Sequence, residues 1–210
     1  MNNPFESLTR LQINKLYDLL AVHVYKYSKN EEIFPTIKSG NIIGIVMSGN
    51  AQIIYTEYNG NEIVMENLFE YGVFGTNISG TNDENYQIVA KEDSEVLVID
   101  YNKLLNPKNL KYSYFNVFFM NLFDIINEKF KERNERVKIL ERKQIREKLL
   151  EYFEIQHKKT RSRFIYLPFN FKDLADYIAV NRSAMFRELK NLKEEKFIEV
   201  KDKRITLLYK

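Results

Sequence analysis

The chain has 210 residues, 44% of them hydrophobic, with 15 Phe and 14 Tyr, which is enough apolar surface for one large or two small packed domains and argues against disorder. It contains no Cys, which excludes disulfides, thiolate zinc sites, cysteine-ligated iron–sulfur clusters and cysteine nucleophiles, and fits a reducing interior. The formal net charge of +3 is unevenly divided: residues 138–210 hold about 19 Lys/Arg against about 11 Asp/Glu, so the basic end suits a nucleic acid and the remainder is acidic.

No apolar run approaches the roughly 20 residues needed to span a bilayer. The start, Met1–Glu6, lacks a basic segment followed by an apolar one. No export signal and no membrane partner are therefore expected, and the expected location is cytoplasmic.

In chain order, Phe5, Leu8, Leu11, Ile13, Leu16, Leu19 and Leu20 are spaced for a short amphipathic helix that Thr9 can cap. From Val22 to Asp100 the texture changes to short apolar or alternating runs: Val22–Tyr27, Ile42–Met47, Ala51–Tyr55, Glu62–Leu68, Gln87–Ala90 and Val96–Ile99. Turn residues separate them at Ser39-Gly40-Asn41, Ser48-Gly49-Asn50, Asn59-Gly60-Asn61 and Ser79-Gly80-Thr81. Asn-Gly between two such runs is a hairpin signal, and this density of strands predicts an antiparallel barrel or sandwich.

Gly80 is the last glycine. From Ser113 to about Arg136 the spacing predicts one long helix, with Phe115, Phe119, Leu122 and Ile126 as a candidate dimer face. Phe118, Phe123 and Ile125 widen its apolar surface, so it needs more than one partner. Those are its own barrel and a second subunit, or else a fully buried setting in a monomer. A break near Val137–Lys138 is expected to be a hinge, followed by a helix over about Ile139–His157, a basic turn at Lys158–Arg163 and a short strand at Phe164–Leu167. The predicted division is a β-barrel domain over 1–110, which the resemblance described below implies to be effector-sensing, a dimerisation helix over 111–137 and a winged helix-turn-helix over 138–210.

The most informative segment is 170–208. Asn170 can cap a helix whose third residue is Asp173 and whose inner face is Leu174, Ala175 and Ile178. Ala179-Val180 forms a corner, and Asn181 caps a second helix that buries Met185, Leu189 and Leu192. Arg182, Ser183, Arg187 and Lys190 are left on the outer face, where Arg can read guanine and Lys can meet phosphate. Phe197–Val200 and Arg204–Leu208 read as a wing with Lys201 and Lys203 at its basic tip. Phe186 sits at the rim of the reading surface, either packed on the wing or against a thymine methyl group.

Barrel, long helix, hinge and winged helix-turn-helix in this order resemble the Crp/Fnr family of bacterial transcription regulators. The matching residues are Leu174-Ala175, Val180-Asn181-Arg182 and Arg187-Glu188-Leu189, the helix segments Asn127–Phe130 and Asn134–Val137, and in the barrel Gly49, Gly60, Gly72-Val73-Phe74-Gly75 and Ala90–Ile99. The resemblance implies an α+β chain with an N-terminal jelly-roll, acting as a homodimer on a partly palindromic double-stranded DNA operator, with RNA polymerase as a further partner. It also implies an effector pocket near Gly72, Phe74, Gly75, Thr76, Glu84 and Asn85. Two of these depart from the cyclic-nucleotide pattern: Thr76 replaces a Glu, and Glu84-Asn85 replaces the Arg-Ser or Arg-Thr pair that holds the phosphate. An acid there repels an anion, so cyclic AMP and cyclic GMP are not expected to bind. No cofactor is expected: Cys is lacking for an iron–sulfur cluster, and His23 and His157 are isolated, which disfavours haem.

An enzyme is not expected, because no Walker-type loop, Gly-x-Ser-x-Gly or His-Glu-x-x-His is present. The alternative is a ligand-binding or protein-interaction module that has lost specific DNA reading.

Overall fold

A computed structural model describes residues 3–33, 41–75, 85–168 and 170–209. The predicted turns at Ser39-Gly40 and Ser79-Gly80-Thr81 fall outside these residues. The chain divides into two compact units, Met1–Glu128 and Lys129–Lys210.

The first unit opens with α1 (Arg10–Leu20). Thr9 caps it in a reciprocal box: the Gln12 amide donates to Thr9 Oγ1 at 3.3 Å, and the Thr9 amide donates to Gln12 Oε1 at 2.9 Å. Seven strands follow: β1 (His23–Tyr27), β2 (Ile42–Ser48), β3 (Ala51–Thr56), β4 (Glu62–Leu68), β5 (Val73–Gly75), β6 (Tyr86–Ala90) and β7 (Ser94–Asp100). They form two antiparallel sheets, one in the order β1-β7-β2-β5 and one in the order β4-β3-β6. Among the described residues this is two facing sheets rather than one closed ring.

The inner strands β7 and β2 of the larger sheet are buried on both sides, which explains why β7 is almost continuously apolar, whereas the edge strand β1 is exposed. Val96 and Val98 join Val46, Ile53, Leu68 and Phe74 in the core between the sheets. Leu97 and Ile99 join Ile43, Ile45, Leu16 and Leu20 in a second core under the helices. Alternate residues of one strand therefore serve two cores. Gly44, on the Phe74 side of β2, is required for space: a Cβ there would stand 2.2 Å from the Phe74 ring. At the β2–β3 turn Gly49 has φ 80°, and a Cβ would meet Ser94 Oγ at 2.4 Å. Ser94 is itself buried, and its hydroxyl donates to the Glu92 carbonyl at 2.8 Å.

After the short helix α2 (Tyr101–Leu104) and a 3₁₀ turn at Pro107–Lys111 comes α3 (Ser113–Leu140), 28 residues long. It continues past the predicted hinge at Val137–Lys138 and breaks at residues 141–144 instead. The division between units falls within this helix, earlier than the predicted boundary at 137. Phe115, Phe118 and Leu122 are fully buried in the core of the first unit, and Phe119 and Ile126 pack against it. Asn121 Nδ2 ties the helix to the N-terminal turn by donating to the Glu6 carbonyl at 2.9 Å.

Two of the four residues expected on the dimer face lie inside the chain's own core. Phe115 and Leu122 are taken by the chain's own core because α1, Phe5 and the larger sheet already cover that side. The exposed apolar residues of α3 are instead Met120, Phe123, Phe130, Val137 and Leu140.

The second unit contains α4 (Ile145–Thr160), β8 (Phe164–Tyr166), α5 (Phe171–Tyr177), α6 (Arg182–Glu194), β9 (Ile198–Lys201) and β10 (Arg204–Leu207). The strands form one antiparallel sheet in the order β8-β10-β9. Its core gathers Leu149, Phe153, Leu174, Ile178, Met185 and Leu192 from the helices and Ile165, Ile198 and Ile205 from the sheet. Among the described residues no helix is long and apolar enough to cross a membrane.

Candidate nucleic-acid interface

Two short helices and a corner set the geometry. Asn170 Oδ1 accepts from the Asp173 amide at 3.0 Å, so α5 begins where the capping residue dictates. Leu174, Ala175 and Ile178 are completely buried. The chain then turns: the Ala179 amide donates to the Asp176 carbonyl at 3.2 Å and the Val180 amide to the Ala175 carbonyl at 3.0 Å. Ala179 takes a left-handed conformation with φ 52° at this corner.

Asn181 Oδ1 accepts from the Ala184 amide at 3.2 Å and starts α6. Met185, Leu189 and Leu192 face the core, while Arg182, Ser183, Arg187 and Lys190 are all exposed. The first-turn amides that Asn181 leaves open, together with the helix dipole, favour an anion beside Arg182 and Ser183. Lys190 lies further along and pairs loosely with Glu194 at 3.7 Å, both side chains well exposed. Such a pair is worth little in water and yields readily to a phosphate.

Lys201 and Lys203 are exposed at the β9–β10 turn, where Asp202 has φ 53°. Arg204 pairs with Lys201 across the hairpin, which fixes the register of the tip. Phe186 is half exposed and tilts against Phe171 of α5 at 5.8 Å between ring centroids, which leaves part of the ring open at the rim of the reading surface.

Sequence reasoning missed the residues that hold α5 and α6 in place, because their partners are distant in the chain. Lys148 Nζ of α4 donates to the Ile178 carbonyl at 3.1 Å and neutralises the C-terminal end of α5. Arg136 Nε donates to the Tyr177 carbonyl at 3.1 Å, with its guanidinium over the Tyr177 ring. Arg146 of α4 bridges Glu188 at 3.3 Å and bonds Glu195 with both terminal nitrogens, one at 2.9 Å, while lying over the Phe197 ring at 4.9 Å. The hydrogen bond from Arg146 holds the Glu195 carboxyl below the ordinary range, and the same bond raises the Arg146 guanidinium.

In the first unit, Gly72, Phe74, Gly75 and Asn85 of the proposed effector pocket are described, whereas Thr76 and Glu84 lie outside the described residues. The Gly72 carbonyl accepts from the Val46 amide at 3.0 Å, and the Asn85 carbonyl from the Thr56 amide at 2.9 Å. Phe74 is completely buried between the sheets, and Gly75 opposes Ile43 of β2. His157 Nδ1 donates to the Ser162 carbonyl at 2.9 Å. Among the described residues no group of three or more His, Asp or Glu is placed to hold a metal ion.

Residues 24–106 match a family model described as a cyclic nucleotide-binding domain, and residues 145–209 match one described as a Crp-like helix-turn-helix domain. Among solved structures, a mutant of CooA from Carboxydothermus hydrogenoformans is 18% identical, with a TM-score of 0.63 over 97% of this chain and 88% of that one. CprK complexed with OCPA is 14% identical, with a TM-score of 0.63 over 93% and 91%. A cyclic nucleotide-binding domain containing protein from Listeria monocytogenes EGD-e is 19% identical, with a TM-score of 0.59 over 93% and 97%. No curated protein matches the sequence.

A jelly-roll unit, a long helix and a winged helix-turn-helix with a cationic outer helix face define a class, the DNA-binding transcription regulators with a cyclic-nucleotide-binding-like domain. Within it, the chain belongs to the Crp/Fnr family.

Proposed function

We propose that this chain is a sequence-specific regulator that acts as a homodimer on a partly palindromic DNA operator. The observation that carries the reading is the division of α6, with Met185, Leu189 and Leu192 buried and Arg182, Ser183 and Arg187 exposed from the capped end onward. That end enters the major groove, where Arg182 and Arg187 read base edges and Asn181, Ser183, Lys190, Lys201 and Lys203 contact or orient toward the backbone. Two copies place their α6 helices about 34–36 Å apart in successive grooves.

The dimer is supported by the spacing along α3. Met120, Phe123, Asn127, Phe130, Asn134 and Val137 alternate by three and four residues and are all exposed. This is the seam of a two-stranded coiled coil, in which Asn at two inner positions fixes register and favours a pair. RNA polymerase is the further partner, and the cytoplasm the place of action. With an acid at Glu84 and no Glu at Thr76, the effector is not cyclic AMP or cyclic GMP, and calorimetry with either nucleotide is expected to give no micromolar binding.

A mobility shift on the chain's own promoter region tests the DNA assignment. The wild-type chain is expected to shift one site, and Arg182→Ala with Arg187→Ala to abolish the shift at moderate salt. Unchanged binding by that pair would show that α6 is not the reading helix.

A further inference from the structure

Reading by α6, with the wing tip at Lys201 and Lys203 on the duplex backbone, leaves the aromatic part of the outer face of the wing sheet unused. Tyr166, Arg204 and Lys201 oppose one another across the three strands, and Phe164, Thr206 and Glu199 form the next row. Directly opposed residues share a face. The alternating residues Ile165, Ile205 and Leu207 are buried, so both rows look away from the core. Phe164 is 51% and Tyr166 69% exposed. The Arg204 guanidinium lies over the Phe164 ring, 5.5 Å from its centroid, with its Nε buried beneath. Arg161 and Arg163 are exposed in the turn that leads into β8.

A partner for this face must be anionic and must also use two aromatic rings, spaced about 7 Å apart along an edge strand. Duplex phosphates would meet the cations and leave the rings idle, because paired bases present no faces. Unstacked bases use both features, as ring stacks on ring while phosphates find the cations. We propose that this face binds single-stranded nucleic acid, one base on Tyr166 and a second on the Phe164–Arg204 pair, with phosphates held by the Arg204 guanidinium. Glu199, at the far end of the second row, confines the phosphates to the Tyr166 side.

The full chain has no Trp, so Tyr166→Trp places a single indole reporter on this face. A dodecamer of deoxythymidine is expected to quench that indole, while a twelve-base-pair duplex of unrelated sequence leaves it unchanged at the same concentration. In anisotropy titrations with the labelled dodecamer, Tyr166→Ala is expected to weaken binding at least about fivefold, the effect of losing one stacked base, and Tyr166→Trp to retain it. Affinity of the Tyr166→Ala chain for an operator duplex stays within twofold of wild type. Conversely, Arg182→Ala with Arg187→Ala keeps single-strand binding, so failure here and failure of the operator reading are distinguishable. The proposal is overturned by no quenching, by parallel loss of single-strand and duplex affinity in Tyr166→Ala, or by poly-glutamate displacing the dodecamer as well as unlabelled dodecamer does.

Discussion

Replacing Ala179 with Gly is expected to stabilise the DNA-binding unit without altering what it reads. Ala179 occupies the left-handed region with φ 52°, where an L side chain costs roughly 1–2 kcal/mol. Glycine removes that strain but enlarges the unfolded ensemble, at about 0.4–1 kcal/mol. The methyl group is exposed, so its loss forfeits no core contact. The backbone hydrogen bonds of the corner are open to glycine as they are to alanine. The net gain is about 0.5–1 kcal/mol, which for a unit of this size raises Tm by roughly 2–8 °C. Thermal unfolding followed by circular dichroism measures it, with operator affinity as the control. A fall in Tm of more than a degree would refute the strain argument, since the methyl would then have to be making contacts that the corner does not show. Ala179→Val should move the other way, because a β-branched residue tolerates this conformation least.

Three other outcomes test the structure. Gly49→Ala and Gly60→Ala share a positive φ, but only at Gly49 does a Cβ meet other atoms within 4 Å, so urea unfolding should show Gly49→Ala the more costly by at least about 1 kcal/mol. Arg146→Ala releases Glu188 and Glu195 and should lower the stability of the DNA-binding unit at neutral pH. Because Glu195 is held below its ordinary value of 4.5, its contribution is present above that pH and lost as pH falls through the lower folded value. The gap between wild type and Arg146→Ala in Tm should therefore narrow below pH 4.5, and a constant gap would assign the stabilisation to the Phe197 contact instead. Phe123→Asp with Phe130→Asp should yield monomers in sedimentation experiments while leaving each unit folded, since both rings are exposed on the single chain.

The sequence was most legible where local chemistry decides structure. Turn residues and alternating runs located β4 at Glu62–Leu68 without error, and Asn170 and Asn181 cap the helices they were expected to cap. β5 was seen only as a motif, because three residues carry too little periodicity to announce a strand. The end of α3 was misplaced because charge density at residues 131–138 imitates a linker. With no Gly or Pro there to stop it, the helix runs on to Leu140. The burial of Phe115 and Leu122 was illegible for a different reason. Periodicity shows that α3 is apolar on two sides, but only the positions of α1 and the larger sheet decide which side is already taken. Lys148, Arg136 and Arg146 were invisible as supports, since a lone basic residue on a helix gives no sign of a carbonyl or carboxylate about 30 to 50 positions away.

β7 is a partition with a tenant on either side. Val96 and Val98 touch one compartment and Leu97 and Ile99 the other, so no solvent or loop intervenes between what happens among the strands and what presses on Phe118 and Leu122. Interiors packed this tightly compress little. A guest that pushed the partition outward by a fraction of an ångström would displace the neighbouring helix by a comparable amount, and the wall itself would serve as the transmitting rod.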